Sequence, residues 1–95
     1  NMEIKLESGR KFKLKETISL DERDSLLDGV QWDMDKDGNI TSIKAMNSTM
    51  TKWLRTCLDG GTSDEELIKW TIEERTDAFM KIQKKYVTGE EKASK

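Results

Sequence analysis

The stretch that most constrains this chain is Trp32 to Lys44, which reads Trp-Asp-Met-Asp-Lys-Asp-Gly-Asn-Ile-Thr-Ser-Ile-Lys. Before it, apolar residues alternate with charged ones, the period of a strand. After it, they recur at helical spacing. A chain that changes period in this way is an α+β protein rather than a bundle or a sandwich. The stretch also holds the one constellation that resembles a chemical site. Asp33, Asp35, Asp37 and Gly38 match positions one, three, five and six of a twelve-residue calcium loop, with Ile40 at position eight. Position twelve, where such a loop needs a bidentate glutamate, is Lys44. An ammonium there removes two ligand oxygens and repels the ion. The flanks, Gln31-Trp32 and Ile40-Thr41-Ser42-Ile43, favour strands rather than helices. The reading is a second hairpin that turns at Lys36-Asp37-Gly38-Asn39, with Asp37 or Asn39 placed at positive φ. A metal or cofactor is not expected, and a calcium-responsive module is the alternative.

The rest of the chain falls on either side of this turn. Met2, Ile4 and Leu6 alternate with charges, Ser8-Gly9 marks a turn, and Phe12 and Leu14 alternate with Lys11, Lys13 and Lys15. That is an N-terminal β-hairpin with one covered face. Ser19-Leu20-Asp21-Glu22 is a capping box opening a short helix from about Leu20 to Asp28, closed by Gly29. Its apolar stripe is Leu20, Leu27 and Leu26. From Asn47 onward, Met46, Met50, Trp53, Leu54, Cys57 and Leu58 form one continuous stripe, with Asn47, Ser48 or Thr49 as cap and Asp59-Gly60-Gly61 as stop. Ser63-Asp64-Glu65-Glu66 and Thr71-Ile72-Glu73-Glu74 are two further capping boxes. The first opens a short helix with Leu67, Ile68 and Trp70. The second opens a helix of about four turns with Ile72, Ala78, Phe79, Ile82 and Tyr86. The expected architecture is α+β, mainly α: a hairpin and short helix over 2–31, the acidic turn 32–44, a unit of three helices over 46–87, and a frayed tail 88–95. All belong to a single domain, 2–95; Asn1 before Met2 reads as an added residue.

Composition narrows the chemistry. The chain has 95 residues, no histidine and one cysteine. Without histidine, Ser/His/Asp and Cys/His catalysis are excluded, and no internal disulfide can form. Cys57 lies on the apolar stripe and reads as a buried small residue. Asp21, Glu22, Glu73 and Glu74 sit in first helical turns, where carboxylates favour the helix dipole, so they are not read as acid–base pairs. Net charge is −2, with basic and acidic blocks alternating from net +3 over 1–15 to net −6 over 16–39. Nothing here calls for nucleic acid, and acidic residues across Asp64–Glu66 and Glu73–Glu74 speak against a helix-turn-helix regulator. No membrane span or leader is expected. Apolar residues make up only 34%, so the core is small and self-association or a partner is expected. The large anchors Trp53, Trp70 and Phe79 are the candidate partner-binding residues. Core packing suits at least two of them.

With this layout, the chain resembles the small tail assembly chaperones of long-tailed bacteriophages, especially those infecting Gram-positive hosts. The stretches that carry the resemblance are the basic opening Ile4–Lys15 leading into Ile18-Ser19-Leu20-Asp21-Glu22-Arg23-Asp24, then Met46-Asn47-Ser48-Thr49-Met50-Thr51-Lys52-Trp53-Leu54, then Thr71-Ile72-Glu73-Glu74-Arg75-Thr76-Asp77-Ala78-Phe79-Met80. The resemblance implies a non-enzymatic protein in the bacterial host cytoplasm. Such a protein holds the long helical tape measure protein before the tail tube polymerises around it, and it is often a homo-oligomer. No individual binding residue follows from it. A small, charged, cofactor-free helical module is compatible with binding amphipathic helices.

Overall fold

The computed structural model of the chain describes residues 2–60 and 62–88. The fold is α+β, two antiparallel hairpins and four helices, as the change of period requires. In order, the elements are β1 (Met2–Lys5), β2 (Lys11–Leu14), α1 (Leu20–Asp28), β3 (Val30–Met34), β4 (Ile40–Ala45), α2 (Asn47–Cys57), α3 (Asp64–Leu67) and α4 (Ile72–Gln83). A π-helical turn, Lys84–Thr88, continues α4. The expected tail, apart from Thr88, lies outside the described residues.

The first hairpin pairs Met2 with Leu14 and Ile4 with Phe12, so the apolar side chains of both strands share one face. Lys13 and Lys11 oppose Glu3 and Lys5 on the other. Gly9, at φ +98°, makes the turn, and the Leu6 N–H donates to Arg10 O at 2.8 Å. Leu6 and Leu14 are buried. The outer edge of β2 does not stay open. Leu14 bridges Leu58, with the Lys15 N–H donating to Cys57 O at 2.9 Å and the Asp59 N–H donating to Lys13 O at 2.8 Å. This pairing also ends α2. Leu58 is extended (φ −72°, ψ 129°), which corrects the expectation of a glycine stop at Asp59-Gly60-Gly61. The left-handed residue, Gly60 at φ +82°, turns the chain only afterwards.

The core forms where α2 and α4 cross beneath this hairpin. Trp53, Leu54 and Cys57 from α2 meet Ala78, Phe79 and Ile82 from α4, joined by Leu6, Leu14, Leu26 and Leu58. Trp53 and Phe79 pack edge to face, with centroids 5.3 Å apart at 87°. Met46 is not part of this stripe. It is the N-cap of α2 and 75% exposed, and none of Asn47, Ser48 or Thr49 caps the helix. Stripes at helical spacing overcount at the ends, because a flanking residue has strand rather than helix geometry. Leu20 and Ile72 are helical, yet at the first positions of α1 and α4 they too are exposed. Capping boxes close at Ser19–Glu22 and Thr71–Glu74. At Ser63 only half forms: its hydroxyl accepts from the Glu66 N–H at 3.3 Å, while the Glu66 carboxylate turns to Lys69 at 3.5 Å. α3 is a single turn, and Ile68 beyond it is exposed.

The acidic turn is a hairpin, but a longer one than the boundary at 32–44 allows: β3 already begins at Val30 and β4 runs to Ala45. Val30 opposes Ala45, Trp32 opposes Ile43 and, past a bulge after Asp33, Met34 opposes Ile40. One face is therefore apolar. Its base, Val30, Ile43 and Ala45, rests on the core, whereas Trp32 and Met34 further out are exposed. At the tip only Gly38 has positive φ (+84°), which corrects the assignment of that role to Asp37 or Asn39. Gly38 alone takes the strained position because it lacks Cβ.

Gly29 closes α1 at the expected place, for a different reason. Its φ of −90° suits any residue, but a Cβ there would lie 2.9 Å from Thr49 Cγ2 and 3.2 Å from its Oγ1. The glycine lets the end of α1 approach α2. Gly29→Ala is expected to cost about 1–3 kcal/mol through overpacking, and the double variant Gly29→Ala/Thr49→Ala to recover much of the loss. Urea denaturation of the two variants checks this.

Candidate protein-binding surface

The acidic loop consumes its own charges. The Asp35 Oδ1 accepts from the Asp37 and Asn39 N–H groups, both at 2.9 Å, and its Oδ2 accepts from Asn39 Nδ2 at 3.3 Å. These bonds, the Asn39 N–H foremost, hold the Asp35 carboxyl below its usual range. Asp33 accepts from Ser42 Oγ at 2.7 Å across the strands. Lys44 sits in β4 opposite Gln31, on the polar face. The arrangement is an Asx-type turn that shapes a hairpin. Among the described residues no group of three or more His, Cys, Asp or Glu is gathered as metal ligands would be.

The strongest polar cluster lies elsewhere, around Glu74. Its Oε2 accepts from Ser8 Oγ at 2.6 Å and Arg10 Nε at 2.9 Å, and its Oε1 accepts from the Thr71 N–H at 2.9 Å. The Arg10 bond, then those from Ser8 and Thr71, depress its carboxyl to about 2. One turn on, Asp77 accepts from the Glu7 N–H at 2.9 Å and pairs with Lys81 at 3.0 Å. Burial works against the Asp77 charge, yet these bonds hold it below its usual range. Lys81 is raised, mainly by Asp77, and also reaches the carbonyl of Lys5 at 3.3 Å. Both acids therefore fasten the first hairpin to α4. Sequence reasoning identified Glu74 only as a cap. Its distant partners Ser8 and Arg10 leave no local signal.

The three candidate anchors part company. Trp53 and Phe79 are buried in the core and contact each other, so neither offers surface on the folded chain. Trp70 is half-buried. Phe12 packs against its ring, with centroids 5.6 Å apart, and the Arg10 guanidinium lies 5.0 Å from the ring centroid. Such a cation–π contact fixes the indole in place. Cys57 is fully buried, and burial pushes its thiol up to about 12, so it is inert packing. Tyr86, also raised by burial, donates its hydroxyl to Lys15 O.

Among the described residues the exposed large apolar side chains are others than these anchors: Leu20, Trp32, Met34, Met46, Ile68 and Ile72. Leu20 and Met46 stand at the starts of α1 and α2, Trp32 and Met34 on the outer part of the second hairpin, and Ile68 and Ile72 at the corner between α3 and α4. That corner also opens a cavity of about 80 Å³, floored by Leu54, Leu67 and Trp70 and walled by Thr51, Ile72 and Arg75. No helix among the described residues is long and apolar enough to cross a membrane.

The Glu74 cluster makes a pH prediction. A carboxyl depressed in the folded chain stabilises it fully above the ordinary value of 4.5, and the contribution fades as pH falls toward about 2. Glu74→Gln is expected to lower the melting temperature at pH 7 and to reduce its fall between pH 4.5 and 2, measured by thermal circular dichroism.

A scan against protein-family models, a search of curated proteins and a search of solved structures each find no match.

Proposed function

We propose that this chain is a non-enzymatic assembly chaperone that binds an amphipathic helical protein in the host cytoplasm, as tail assembly chaperones bind the tape measure protein. The observation that carries the reading is the amount of large apolar surface left uncovered on so small a fold. The outer face of the second hairpin and the α3–α4 corner both keep apolar side chains in water, where exposed patches mark interaction sites. The distribution of charge supports the same reading. Two carboxylates held below their usual range, Glu74 and Asp77, are bound to arginine, lysine and backbone in the joint between hairpin and helix. They serve the fold.

A chaperone of this kind shields a helix that would otherwise aggregate, and needs broad apolar contact more than a deep pocket. Amphipathic helices dock by apolar anchors spaced one turn apart, which suits a surface of scattered Ile, Trp and Met. Co-expression with a tape measure fragment from the same phage genome, followed by size-exclusion chromatography, is expected to give a co-eluting complex and a fragment soluble only in this chain's presence. Independent elution of the two at micromolar concentration would overturn the proposal.

A further inference from the structure

The cavity at the α3–α4 corner has a feature that core packing does not explain. The chain has four arginines. Three have a carboxylate: Arg10 with Glu74, Arg23 with Asp24 and Arg55 with Asp64. Arg75, half-buried in the cavity wall, pairs with none among the described residues. Its Nη1 donates to Thr51 Oγ1 at 3.3 Å, and its buried Nε has no partner. A partly desolvated guanidinium with unmet donors is costly unless an anion joins it. Beside it the cavity, where Leu54, Leu67, Trp70 and Ile72 meet Thr51 and Thr71, is several times larger than the ~10–15 Å³ that one water needs. Ile72, 69% exposed, and Ile68, 84% exposed, extend the apolar surface outward.

We infer that this corner is a docking site for a partner helix that presents an aliphatic side chain to the cavity and a carboxylate, one helical turn away, to Arg75. The spacing follows from α4 itself. Ile72 and Arg75 are three residues apart on one helix, so their backbone positions share one face about 4.5 Å apart along its axis at ~1.5 Å rise per residue. A partner helix lying along α4 meets both with residues at i and i+3 or i+4. The aliphatic anchor fills the space over Leu54 and Leu67. The carboxylate meets the Nη end of the Arg75 guanidinium, since the Nε is buried beyond a partner's reach, and the charge of the guanidinium favours it over a neutral amide. The inference rests on the protein-binding reading above and adds to it the place and the chemistry of recognition.

The test uses the full ¹⁵N-labelled chain and three alanine-rich helical peptides, alike except that a leucine is followed four residues later by Glu, Gln or Lys. The Glu peptide is expected to shift the amides of Thr51, Leu54, Trp70, Ile72 and Arg75, and to bind at least ~tenfold tighter than the Gln peptide. Arg75→Glu is expected to reverse the order of the Glu and Lys peptides, its folding checked by the dispersion of the spectrum. If that variant does not fold, Ile72→Ser is expected to weaken the Glu peptide while leaving its preference over Gln. Equal binding of all three peptides by the unaltered chain, no binding at millimolar peptide, or shifts centred on Trp32 and Met34 would each overturn the site. Failure of the site and failure of the chaperone reading separate cleanly. A tape measure fragment that still co-elutes with Arg75→Glu overturns the site alone. Carboxylate-dependent peptide binding without co-elution supports the site and overturns the chaperone reading.

Discussion

The carboxylate of Glu74 is where three distant parts of the chain are held together. It closes the capping box that starts α4, takes the hydroxyl of Ser8 from the first turn, and takes the guanidinium of Arg10. Arg10 in turn reaches the carbonyl of Lys69 at 3.4 Å and lies over Trp70. Through one group, the start of α4, the turn of the first hairpin and the segment after α3 are fixed in mutual position. A carboxylate shielded from water is costly to leave without its donors, so it favours the one arrangement that supplies them all. The α3–α4 corner, with its cavity, inherits its shape from this joint.

Much of the fold was legible because local rules suffice for it. The alternation Met2-Ile4-Leu6 and Phe12-Leu14, the boxes at Ser19 and Thr71, and the turn around Gly38 each contain their own physical cause. Legibility failed where the cause lies far away in sequence. The end of α2 is set by Leu14 across the fold, so Gly60 misled. Met46 fits a helical period yet sits outside the helix, because β4 runs directly into its cap. Gly29 was placed correctly, but its reason, the methyl of Thr49, depends on how two helices approach.

The candidate surface was the least legible part. Large aromatic residues are the natural guess for anchors, yet in a chain this poor in apolar residues the core claims them first. Trp53 and Phe79 supply bulk that smaller side chains would not. What is left for the outside is aliphatic: Ile68 and Ile72 next to short or starting helices, and Met34 beside Trp32 on the hairpin. Their exposure follows from tertiary placement. That no described acid pairs with Arg75 is likewise a matter of tertiary placement.

The two hairpins also differ in when they can be completed during synthesis. α1 and the second hairpin are built from neighbours in sequence, and their hydrogen bonds can form as soon as those residues leave the ribosome. The first hairpin is finished only by residues made much later: Glu74 for Ser8, Asp77 for Glu7, Tyr86 for Lys15. A two-stranded hairpin gains little stability by itself, and closing such long loops must precede the contacts that reward it. The strands made first are thus the last to be secured: Leu14 can meet Leu58 once α2 is made, but the turn at Glu7 and Ser8 waits for α4.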